Sequence, residues 1–126
     1  MPDTIRLLLV SPDLMVSSRV AGLAAGCGAT LDTVVTIDAT PPASGYHVAI
    51  LDLQGLRGDA AELVERARAR LATLGPREGT GPALVAFGPH VAVDRLAAAR
   101  AAGADDVVSR GELLGAFAAI VARHAG

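Results

Sequence analysis

The sequence predicts an α/β fold: a parallel, doubly wound sheet of five strands covered on both faces by helices. Two observations predict it. Short apolar runs alternate with longer segments of helical spacing along all 126 residues. The runs are also apolar nearly throughout, which is the pattern of strands buried on both faces. Strands that alternate with helices in this way are joined by right-handed crossovers into one parallel sheet. No repeat, low-complexity tract or linker divides the chain, so residues 1–126 are read as one domain.

The first strand is "IRLLLV", Ile5 to Val10. In "SPDLMVSSRVAGLAAGCG", Ser11 suits an N-cap, Pro12 the first helical position, and Asp13 the positive end of the helix dipole. Met15, Val16, Val20 and Leu23 recur at helical spacing, and Gly26 or Gly28 ends the helix. "ATLDTVVTI" is the second strand, rich in Thr and Val. "DATPPASGY" follows, and its two prolines read as loop. The third strand is "HVAILD", ending at Asp52. Asp59 then caps a helix through "AAELVERARARLATL", with Leu63, Ala67, Arg70 and Leu74 on one face. "GPREGTGP" is a loop. "ALVAF" is the fourth strand, "HVAVDRLAAARAAGA" the next helical segment and "DVVS" the fifth strand. A last helix, "GELLGAFAAIVARHA", aligns Leu113, Phe117, Ile120 and Val121.

Composition narrows the function. Hydrophobic residues make up 52% and the formal net charge is -2, which excludes disorder and gives no electrostatic claim on nucleic acid. No apolar run approaches the length of a membrane span, and Pro12 and Asp13 cut the first run far below a signal-peptide core. A cytoplasmic protein is therefore expected. The single cysteine, Cys27, agrees with a reducing compartment and reads as a small buried hydrophobe. All eleven basic residues are arginine, so no mechanism that needs a lysine can operate, a phosphate-binding P-loop included.

Five strands, an acid closing the third in "AILDLQG", and "AGADDVVSR" before the last helix resemble the CheY-like receiver domain of bacterial response regulators. The resemblance covers nearly the whole chain. It implies sheet order 2-1-3-4-5 and a site at the carboxyl ends of the strands. It also implies a role in two-component signal transduction or a phosphorelay. Carried over by position, the phosphoacceptor falls on Asp52. The magnesium-binding acid pair falls on Ser11 and Pro12, the phosphate-contacting hydroxyl on Phe87, the phosphate-pairing lysine on Arg110, and the signalling aromatic on Val107. Only the acceptor matches.

These departures have physical consequences. Magnesium takes about six hard oxygen ligands, usually with one or two carboxylates. Asp52 and a backbone carbonyl remain, with Asp13 one residue past the pair and better placed as a helix-end charge. Without the metal, charge developing on a transferring phosphoryl group loses its main neutralising partner. A phenyl ring at position 87 cannot hydrogen-bond phosphate and takes up its room. Arginine replaces the lysine charge with a longer, differently aimed fork. Asp52 is therefore expected as retained architecture, either paired with Arg110 or capping the turn into the next helix.

The crossover between the second and third strands is too short for a normal helix, so the second helix of the fold is shortened or missing. Either the loop covers that part of the sheet, with help from Tyr46, or another subunit does. His47, His90 and His124 show no metal-ligand spacing, and no metal site is expected. His90 reads as part of a turn, and His124 as a favourable charge at a helix C-terminus. Asp105 and Asp106 fall on the rim opposite the site and read as a solvated turn. "LAAARAAGA" and "LLGAFAAIVA" give the last two helices low-charge outer faces, a candidate surface for self-association or a protein partner.

The leading expectation is a pseudo-receiver: a non-enzymatic protein–protein interaction module that needs neither aspartyl phosphorylation nor a cofactor. The first alternative is a degenerate but active receiver phosphorylated on Asp52 with magnesium. A small-ligand binder of flavodoxin-like fold comes third, because "SPDLMVSS" offers little to hold a phosphate.

Overall fold

The computed structural model describes residues 4–125; positions 1–3 and 126 of the expected domain lie outside the described residues. Five parallel strands run β1 (Arg6–Val10), β2 (Thr30–Val34), β3 (Val48–Asp52), β4 (Ala83–Gly88) and β5 (Asp106–Ser109). Their order in the sheet is β2-β1-β3-β4-β5. The helices are α1 (Leu14–Gly26), α2 (Ala60–Arg70), α3 (Val93–Ala101), α4 (Arg110–Gly115) and α5 (Phe117–Ala125).

The apolar runs are buried on both sides because successive side chains of a strand point to opposite faces. Leu7, Leu9, Val48, Ile50, Val85, Phe87 and Val108 pack against α1, α4 and α5. Leu8, Val10, Ala49, Leu51, Leu84, Ala86 and Val107 face α2, α3 and the β2–β3 loop. Each fully buried Leu, Val or Ile side chain contributes roughly 1.5–3 kcal/mol of transfer free energy. The three central strands are buried along nearly their whole length.

Several expectations are corrected. Helix α1 is capped by Asp13, whose Oδ1 accepts from the backbone N–H of Met15 at 2.8 Å and of Val16 at 3.3 Å. Ser11 and Pro12 stand before the helix instead of starting it. Met15 points outward, 73% exposed, while Val16, Val20 and Ala24 form the buried stripe. Gly28, at φ 75°, ends the helix in a conformation that glycine adopts without strain. The last helical segment is broken at Ala116 into α4 and α5. The expected stripe still holds, since Leu113, Phe117, Ile120 and Val121 are all buried. Cys27 is exposed rather than buried, because it lies just past the end of α1.

No helix forms between β2 and β3. The loop itself covers the sheet: Ile37 and Tyr46 are buried in the core, with Ala39 and Ala43 packed against it. The Tyr46 hydroxyl donates to Asp32 Oδ2 at 2.7 Å. Burial, reinforced by that carboxylate, pushes the Tyr46 phenol from its ordinary 10.0 to about 12. On the amino-end rim, Asp105 and Asp106 are latches between elements. Asp105 Oδ2 accepts from Leu84 N at 2.7 Å, and Asp106 Oδ2 pairs with His124 Nε2 at 2.8 Å.

The strand-tip site around Asp52

Asp52 closes β3 at the carboxyl edge of the sheet and is 2% exposed. A buried carboxylate is costly unless its lone pairs are occupied. Here three donors occupy it. The Ser11 hydroxyl donates to Oδ2 at 2.7 Å, and the backbone N–H groups of Gln54 and Gly55 donate to Oδ1 at 3.1 and 2.9 Å. The second and third bonds are the local pattern by which an aspartate caps the turn that follows it. Ser11, also 2% exposed, accepts in turn from Asp13 N at 3.1 Å. The turn depends on Gly55: a Cβ there would lie 2.6 Å from Asp52 Oδ2 and 3.0 Å from Pro12 Cδ.

The expected pairing of Asp52 with Arg110 does not form. Ser109 caps α4 in a reciprocal capping box with Glu112, so Arg110 becomes the first residue of that helix rather than the tip of β5. It is half-buried and has no carboxylate within bridging distance among the described residues. The Ser11 hydroxyl and two backbone N–H groups, not a guanidinium, hold the acid.

Phe87 is the cross-strand partner of Asp52 in the β3–β4 register. It is 2% exposed and packs with the α1, α4 and α5 core, so the fourth strand brings no polar side chain to the site. Val107 is buried in the opposite core, against α2 and α3. Asp13 comes close only through its backbone, since its carboxylate is committed to the start of α1. Of the positions singled out by sequence, the structure brings Ser11 and Asp52 into direct contact, with Pro12 and Phe87 alongside.

Magnesium is a poor match for this donor set. One carboxylate converges on the site, and its oxygens already accept three hydrogen bonds. The flanking residues are a hydroxyl and a proline where two acids would serve a hard cation. Among the described residues no group of three His, Cys, Asp or Glu side chains is placed to hold a metal.

Sequence reasoning missed Arg95 of α3. Its Nη1 donates to Gly58 O at 2.9 Å and its Nη2 to Leu53 O at 2.5 Å, so α3 grips both ends of the turn that Asp52 caps. Nothing local announces this contact, because its partners are backbone carbonyls some forty residues away in sequence.

No family profile matches the chain, and neither does any curated protein sequence. Solved structures match over nearly its full length. A response-regulator receiver domain from Clostridium thermocellum superposes at TM-score 0.71 with 10% identity, over 96% of this chain and 94% of that one. The fold is that of a response-regulator receiver domain. The receiver domain of DrrB, activated with beryllofluoride, aligns at TM-score 0.70 and 15% identity over 97% of both chains. A putative pilus assembly protein, CpaE, from Burkholderia thailandensis aligns at 0.72 and 19%, over 97% and 98%. At such identities the receiver likeness is one of architecture. Among the described residues, no helix is long and apolar enough to cross a membrane.

Proposed function

We propose that this receiver-fold domain is a signalling module of the two-component type that acts through protein contacts, without phosphorylation of Asp52. One observation carries the reading: the Asp52 carboxylate is buried, and each of its oxygens is hydrogen-bonded, by Ser11 on one side and by Gln54 and Gly55 on the other. In-line attack on a phosphodonor requires a free carboxylate oxygen and a cation to neutralise the transferring group. Here Oδ1 is held by the turn and Oδ2 by Ser11, and the acid pair that would hold the cation is replaced by Ser11 and Pro12. Ser11 supplies the compensation that makes a buried acid tolerable without metal.

The outer faces of α3 and α5 support the contact role. Ala97, Ala101, Ala118, Ala119 and Ala122 are exposed there and allow close approach of a partner or a second copy. The test is incubation with acetyl phosphate and magnesium, followed by intact mass spectrometry. The expected spectrum shows unmodified protein. A stoichiometric phosphate adduct that disappears in Asp52→Ala would overturn the proposal.

A further inference from the structure

A cleft of about 330 Å³ opens at the carboxyl rim between the β3–α2 turn and the start of α3. Its walls are apolar, with Leu53, Leu56, Pro89 and Leu96 prominent, and its polar groups are Gln54 and the Arg95 guanidinium. No lining residue is acidic. Arg95 is held by two carbonyls, which are neutral, so its orientation is fixed while its charge has no counter-ion among the described residues. Asp94, its neighbour in the chain, and Asp59, the neighbour of the lining residue Gly58, form no ion pair with it. Val91 and Val93, the chain neighbours of the lining residue Ala92, are 73% and 65% exposed, two of the few large hydrophobics on the surface.

A fixed, uncompensated guanidinium inside an apolar cleft is complementary to a carboxylate carried on an apolar scaffold. We infer that this cleft is the docking site for a short segment of a partner protein that presents a Glu or Asp between apolar side chains. The acid meets the free N–H groups of Arg95, and the flanking apolar side chains cover Leu56, Pro89 and Leu96. The inference rests on the reading of the chain as a protein-interaction module and gives the partner its chemistry. Since Arg95 also holds the turn below Asp52, an occupant of the cleft bears directly on the segment that ends β3.

The test is an amide-resolved NMR titration of the full chain with acetyl-Leu-Glu-Leu-amide and its Gln counterpart, in the absence of phosphodonor. The acidic peptide is expected to shift the amides of residues 53–58 and 91–96 and to bind about fivefold more tightly than the neutral one at low salt. Arg95→Met should erase that preference. Because this variant also loosens the turn, Ala92→Glu provides a second check: it sets a carboxylate on the cleft wall, keeps Arg95, and should block the acidic peptide in a protein with an unchanged spectrum elsewhere. Equal binding of the two peptides, shifts centred on another surface, or equal binding by 4-phenylbutyrate (a small-molecule site) would each overturn the inference. The two assays fail separately. A titration without shifts removes the docking site and does not bear on phosphorylation, whereas a phosphate adduct on Asp52 removes the phosphorylation-independent reading and does not bear on the peptide preference.

Discussion

Tyr46 stands where the fold would ordinarily place a helix, and its ionisation reports whether the loop does that helix's work. The side chain is 1% exposed and hydrogen-bonded to Asp32, so a phenolate would sit buried beside a carboxylate. The phenol is accordingly pushed from 10.0 to about 12. Its folded pKa lies above the unfolded one, so the folded state holds the proton more tightly. The resulting contribution is complete below pH 10 and is lost as pH rises from 10 to about 12. At about 1.4 kcal/mol for each unit, the loss amounts to roughly 2–3 kcal/mol. The composition makes the measurement clean. Tyr46 is the only tyrosine, there is no tryptophan, and no lysine titrates in this window; arginine stays charged throughout. Tyrosinate absorbance in the native protein should show a midpoint near 12. Urea unfolding should show stability falling across the same interval. Tyr46→Phe should be less stable by about 1 kcal/mol at neutral pH, the usual worth of one hydrogen bond, and should lack the alkaline fall. A native midpoint near 10.0, or an undiminished alkaline slope in Tyr46→Phe, would refute the account of the loop as a packed replacement for the helix.

Other outcomes follow from the same geometry. Ser11→Ala leaves Asp52 Oδ2 without its 2.7 Å donor and should cost about 1–3 kcal/mol in urea unfolding. Gly55→Ala places a Cβ 2.6 Å from the same oxygen and should destabilise by a similar ~1–3 kcal/mol, visible as a lowered midpoint with unchanged m-value. Asp106 is raised by its own partial burial, but the His124 hydrogen bond and the Arg123 charge outweigh this and hold it below the ordinary 3.8. Its contribution is therefore complete above that value and lost as pH falls through the lowered folded one. His124→Ala should shift the acid unfolding midpoint, followed by circular dichroism, to higher pH. Phe87→Ala removes a ring from the core and should cost roughly 3–5 kcal/mol without creating phosphorylation.

Much of the fold is legible in the chain because burial on two faces leaves a strong mark. "IRLLLV", "HVAILD" and "ALVAF" read as strands since each lies under helices on both sides, and the observed strands fall within them or run one residue past. Helix ends are less legible. Ser11, Pro12 and Asp13 all suit a helix start, and the choice of Asp13 as cap comes from the demand that Asp52 places on the Ser11 hydroxyl. The same is true of Arg110, which local capping by Ser109 draws into α4. The exposure of Cys27 escapes a reading from hydrophobicity, because it is set by a position one residue past a helix end.

By itself the sequence determined the sheet, its order through the receiver likeness, the absence of lysine, and the loss of the acid pair and hydroxyl that a phosphoryl site needs. These are matters of residue identity and of periodicity along the chain. Only the tertiary structure decided which partners satisfy Asp52, that Tyr46 and Ile37 fill the place of a helix, and that Arg95 reaches back to the β3–α2 turn. Apart from the two backbone bonds of the Asp52 turn, those contacts join residues far apart in sequence. Each is chosen by the energetic cost of leaving a buried polar group or an apolar face without a partner, which is fixed only once the chain has folded.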